Sequence, residues 1–128
     1  MEEEAKRILE EEGLPYFQTG SSYICNPPVL NTDIDYAVLC KSDWRADLDA
    51  DLRNAGYIPS TDYGILYGDF LSYRKSIATE LVTTNLIVFY DERRYKIFNY
   101  CTFLAKKLNL LNKDERVRFF TDTMELLY

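Results

Sequence analysis

A pair of aspartates at the head of an apolar strand constrains this chain more than any other feature. Asp33-Ile34-Asp35 leads straight into Tyr36-Ala37-Val38-Leu39-Cys40, and residues 34–40 are β-branched and aromatic enough to form a buried strand. Strand side chains alternate between faces. Asp33 and Asp35 therefore point one way, and Ile34, Tyr36 and Val38 the other. Two carboxylates this close repel each other, which is costly unless a cation lies between them or water reaches both. Hard divalent ions such as Mg²⁺ are commonly held by one or two carboxylates, with substrate phosphates completing the shell.

A second element precedes the pair by about a dozen residues. In Gly20-Ser21-Ser22 the glycine permits torsions that other residues avoid, and the serines add hydroxyl donors. Backbone N–H groups in such a turn can cradle a phosphate. A phosphate cradle plus a carboxylate pair is the minimum equipment for metal-assisted phosphoryl or nucleotidyl transfer.

Composition narrows the chemistry further. The 128 residues suit one small domain over 1–128, and nearly half are hydrophobic. There is no histidine, so His-based general bases, Ser-His-Asp arrangements and His-ligated zinc are all excluded. Cys25, Cys40 and Cys101 are odd in number and far apart, which suggests a reducing compartment, and the first dozen residues have no signal-peptide core. No apolar run is long enough for a membrane span, so a cytoplasmic protein is expected. A net charge of −6 argues against non-specific nucleic-acid binding.

The spacing predicts a helix over 3–12, a strand over 15–19, the strand over 34–40, and a helix over 43–55 capped by Ser42 and stopped by Gly56. A hairpin follows, GDFLSYRKS with TELVTTNLIVFY. A helix over 92–111 has the stripe Ile97, Cys101, Leu104, Leu108 and Leu111. Asn112 opens a last helix with the stripe Val117, Phe120, Met124 and Leu127, and Glu115 is placed for a capping box. The order α-β-β-α-β-β-α-α makes a mixed α/β or α+β domain.

Gly20-Ser21, eleven residues, then Asp33-Ile34-Asp35-Tyr36 resembles the signature of the polymerase-β-type nucleotidyltransferase superfamily. That signature is a Gly-Ser or Gly-Gly turn, a short spacer, and Asp-x-Asp on a strand flanked by apolar positions. The likeness covers about residues 15–90. The whole chain, including LAKKLNLLNKDERVRFF, is also similar to small phage-encoded proteins labelled nucleotidyltransferases, which would place it in a host cytoplasm.

The resemblance implies a minimal nucleotidyltransferase fold, a small mixed sheet with flanking helices and two C-terminal helices. It implies an NTP substrate, Mg²⁺ or Mn²⁺ as cofactor, and Asp33 and Asp35 as metal ligands. Nucleoside monophosphate would pass to a hydroxyl on a protein, an RNA end or a small molecule, and the acidic balance leans against a bulky RNA. A third carboxylate is implied on the neighbouring strand, where Asn85 aligns instead. An amide offers one carbonyl ligand, no charge and no basicity. Glu80 falls on the other strand face, and Asp91 lies roughly 20 Å further along.

Several residues carry two readings. Arg74 and Lys75 either neutralise a triphosphate or form an exposed edge pair that limits aggregation. They alternate, so at most one points at the site. Tyr23 or Tyr36 stacks on a base, or both are core. Cys25 is a spectator thiol. An apolar face of Phe98, Phe103 and Phe119 would suit a homodimer. The alternative to a transferase is a weakened or inactive member of the fold that binds a host protein or a nucleotide; Asn85 favours it.

Overall fold

The computed structural model describes residues 3–27, 33–41, 45–60, 70–76 and 83–127. The elements are α1 (Glu3–Glu11), β1 (Tyr16–Thr19), α2 (Ser21–Ile24), β2 (Ile34–Leu39), α3 (Arg45–Asn54), β3 (Ile58–Ser60), β4 (Phe70–Ser76), β5 (Thr83–Phe89), α4 (Glu92–Leu108) and α5 (Lys113–Leu127). The five strands form one mixed sheet in the order β1-β2-β5-β4-β3, with β2 and β5 parallel and the other pairs antiparallel. The protein is thus α+β, as its order of periodicities predicts.

Alternation along the central strands divides the core. Tyr36 and Val38 of β2, with Leu86 and Val88 of β5, face α1 and α3 through Ile8, Leu9, Leu48 and Leu52. Burying each of these aliphatic side chains contributes ~2 kcal/mol. Ala37, Leu39, Ile87 and Phe89 face the other way, toward Tyr95 and Phe98 of α4. Ile97 and Cys101 then join α4 to Met124 of α5. The C-terminal pair closes one face of the sheet, and α1 with α3 closes the other.

Three expectations need correction, and one strand is added. The Gly-Ser-Ser segment is not an open turn: Gly20 caps the one-turn helix α2. The three-residue strand β3 has no sequence signal, because Pro59 lies inside it; proline is tolerated there because β3 is the edge strand. The long helix stops at Leu108, where Asn109 turns left-handed (φ 50, ψ 57). Leu108 and Leu111 are consequently 62% and 54% exposed, and the buried set is Tyr95, Ile97, Cys101, Thr102 and Ala105. In α5, Met124 is buried but Val117 and Leu127 are exposed, since α4 covers only one side of that helix. The Asn112 cap does form, accepting from the Glu115 N–H at 3.1 Å. Ser42 and Glu80 lie outside the described residues.

The acidic end of α1, at odds with its helix dipole, has local partners. Glu10 accepts from the Tyr16 hydroxyl at 3.2 Å, and Glu11 pairs with Arg7 at 3.2 Å. Glu12 lies near Asp51, and its carboxyl is pushed up to about 7, chiefly by burial and then by Asp51 and Asp47.

Candidate functional site

The candidate site lies where β2 and β5 begin and β1 and β4 end. Parallel pairing sets Asp35 beside Asn85, and antiparallel pairing sets Asp35 beside Thr19 and Asn85 beside Arg74. Four strands thus bring one polar position each to the same sheet face. Asp33 joins them from the residue before β2. Asp35 and Asn85 are buried, at 6% and 3% exposure, whereas the Asp33 side chain is 39% exposed.

The aspartates converge on a single amide. Asn85 Nδ2 donates to Asp33 Oδ2 at 3.0 Å and to Asp35 Oδ1 at 2.8 Å. Arg74 Nη2 donates to the same Asp33 oxygen at 3.4 Å. The carboxylate repulsion is therefore relieved by two amide hydrogens and a guanidinium, a solution that the reasoning from a cation or water omits. The Arg74–Asp33 pair is substantially exposed on both sides and is worth well under about 1 kcal/mol, so it can open toward a ligand.

Gly20 completes the geometry. Its backbone has φ 78 and ψ 177, a region nearly confined to glycine. A Cβ built there would stand 2.0 Å from Asp35 Oδ2. The loop backbone and the Asp35 carboxylate are thus in direct apposition, which only a glycine allows. Beyond it, Ser22 Oγ is buried and has no hydrogen-bond partner among the described residues. An orphaned buried hydroxyl is costly unless a further group bonds it.

Of the paired basic residues, only Arg74 reaches the site. Lys75 projects to the opposite face, its Nζ 5.6 Å from the Tyr57 ring centroid. Tyr36 is buried in the α1/α3 core and is unavailable for base stacking. Tyr23 is half-buried on α2 beneath Lys106, whose Nζ is 4.1 Å from its ring centroid. Cys25 is buried, and Arg116 Nη1 lies 3.2 Å from its sulfur. Asp91 caps α4 by accepting from the Arg93 N–H. Phe98 packs against Phe17, Phe89 and Phe120, and Phe119 against Phe120; of the three phenylalanines assigned to a dimer face, Phe103 alone is exposed.

Among the described residues, no three His, Cys, Asp or Glu side chains are grouped so that they could hold a metal ion. The site holds two carboxylates and one amide. That all-oxygen donor capacity suits a hard ion of the Mg²⁺ or Mn²⁺ type, held partly by phosphate, and not zinc. Among the described residues, no helix is long and apolar enough to cross a membrane.

Comparison with known proteins adds little to this geometry. No family model matches the sequence, and no curated protein matches it. A solved structure of a cytoplasmic RNA terminal U-transferase is similar over 88% of this chain, with 17% identical residues and a TM-score of 0.49. This chain spans 31% of that one. A likeness at that level carries no argument about what this chain does.

Proposed function

We propose that this chain is a minimal nucleotidyltransferase-type domain. It binds a nucleoside triphosphate with Mg²⁺ or Mn²⁺ and moves the nucleoside monophosphate onto a hydroxyl acceptor, releasing pyrophosphate. The observation that carries the reading is the seating of Gly20 against Asp35, with Asp33 converging from the same strand end. The loop backbone meets the Asp35 carboxylate there with no side chain between them, and the Asn85 amide links Asp35 to Asp33.

Asp33 and Asp35 would hold the ion, and Asn85 would turn its carbonyl toward it. When bound, the ion would neutralise charge on the transferring phosphate. The chain's own groups have separate tasks. Gly20 lets the loop backbone come up against the Asp35 carboxylate, Ser21 and Ser22 offer hydroxyl donors, and Arg74 exchanges Asp33 for a phosphate oxygen. Asn85 cannot take a proton, so the acceptor hydroxyl must lose its proton to a carboxylate of the pair or to solvent. Slow turnover is the consequence.

That same amide favours a second reading, a domain that binds the nucleotide without transferring it. Thermal shift with each NTP, with and without Mg²⁺ or Mn²⁺, separates the cases when combined with pyrophosphate release from labelled NTP. A metal-dependent rise in melting temperature with release, both lost in Asp33→Ala, supports the transferase. A rise with no release under any candidate acceptor supports the binding domain. No rise with any nucleotide and ion refutes both.

A further inference from the structure

The chain is acidic, but its longest helix is not. α4 carries Arg93, Arg94, Lys96, Lys106 and Lys107 against the single acid Glu92, in a protein whose net charge is −6. Arg93, Lys96, Tyr100, Phe103 and Lys107 follow one another at intervals of three and four, which places them on one helix face. All five are exposed, with Tyr100 at 52% and Phe103 at 56%. Tyr95, Cys101, Thr102 and Ala105 fill the buried side against the sheet and α5. The outward face is therefore a basic stripe with two aromatic rings at its centre, roughly 20 Å long.

Both ends of the stripe open into hollows. At the start of α4, Arg93, Lys96 and Tyr100 line a groove of ≈ 550 Å³ against Leu127 of α5. At its end, Lys106 and Lys107 line a hollow of ≈ 470 Å³ with Ser22 and Tyr23. Lys107 Nζ lies 5.6 Å from the Phe103 ring centroid, so cation and ring already share one surface. Lys96 pairs with Glu92 at 3.4 Å, an exposed contact that a phosphate can displace.

We infer that the outer face of α4 binds single-stranded nucleic acid. The phosphates lie along Arg93, Lys96 and Lys107, and bases stack on Tyr100 and Phe103. Positive charge segregated onto one face of an acidic protein is complementary to a polyanion. Exposed rings between the cations suit unpaired bases, which a duplex does not offer. The inference stands apart from the proposed transferase, since this face requires neither nucleotide nor metal.

The test is fluorescence anisotropy of the full chain with a labelled single-stranded RNA, its DNA counterpart, a duplex and an inorganic polyphosphate competitor, with no NTP and no divalent ion. The single strands are expected to bind, with a log–log salt slope of about −2, three cations each contributing about −0.7. Lys96→Glu with Lys107→Glu should weaken binding about tenfold or more and flatten that slope, and the two glutamine changes should do so partially. Tyr100→Ala with Phe103→Ala should weaken binding about tenfold and leave the slope unchanged. Asp33→Ala should bind as the parent does, which keeps this result separate from any failure at the aspartate site. Circular dichroism checks that each variant is folded; these exposed side chains leave the core intact. The inference is overturned by no binding at about 50 mM salt, where charge contacts are strongest. Full binding by the charge variant overturns it too, as does indifference to loss of the rings or equal affinity for duplex. Self-association abolished by the ring changes, in place of oligonucleotide binding, would make the face a protein interface and also refute it.

Discussion

Replacing Gly20 by alanine tests the contact on which the candidate site depends. The cost has two parts. A residue with a Cβ at φ 78 and ψ 177 is strained by about 1–3 kcal/mol. The new methyl would also stand 2.0 Å from Asp35 Oδ2, about 1 Å inside the closest contact that real Cβ atoms make. The Asp35 backbone cannot retreat, because β2 is paired on both sides, to Thr19 and to Asn85. The side chain must rotate, and its 2.8 Å bond from Asn85 is lost in a buried setting, for about 1–3 kcal/mol more. The expected total is about 2–6 kcal/mol. Gly13→Ala is the control: its φ is +67, but nothing lies within 4 Å of the added Cβ, so only about 1 kcal/mol of backbone strain applies. Urea unfolding of both variants, read as a midpoint shift at constant slope, gives the difference. On an Asp35→Ala background the Gly20→Ala cost should shrink to its backbone part alone. Equal costs for Gly13→Ala and Gly20→Ala, or an unchanged cost on that background, would refute the apposition of loop and carboxylate.

Three further outcomes are expected. Asn85→Asp removes both donors that hold the carboxylate pair and adds a third charge, so it should lose about 2–4 kcal/mol in chelator, and Mn²⁺ should raise its melting temperature more than the parent's. Glu12 is raised to about 7 in the fold, from an ordinary value near 4.5, so the folded chain holds the extra proton between those values. Stability should therefore fall as pH rises from about 4.5 to about 7, by about 1 kcal/mol once solvent screening is allowed for; urea midpoints of Glu12→Gln should be flat across that range and higher than the parent's at pH 8. Thr19 and Thr102 share a buried hydroxyl bond at 2.8 Å that ties β1 to α4, and Thr102→Val should cost about 1–2 kcal/mol in thermal unfolding.

Much of the site was legible along the chain because its signals are local. The alternation that separates Asp33 and Asp35 from Ile34 and Tyr36 is a property of any strand, and the Asn112 cap reaches only three residues ahead. Arg74 and Lys75 were separable by the same alternation. Which of them meets Asp33 was not, because neighbours in sequence say nothing about which sheet face carries the aspartates. The basic stripe on α4 was hidden for a related reason. Whole-chain charge averages over positions that a helix sorts by face, and the apolar stripe was traced through Leu108 and Leu111, which the structure leaves exposed.

The sequence by itself determined the strand with its paired carboxylates, the glycine able to approach them, the mixed α+β class, and the absence of any histidine chemistry. Tertiary structure alone decided that one Asn85 amide bridges both aspartates, that Gly20 is seated against Asp35, and that Arg74 closes the cluster. The physical reason is range. Periodicity and capping act within a turn or two of chain, whereas strand register across some fifty residues is set by the burial of whole faces at once, and a slip by one residue would have turned Asn85 away from the pair.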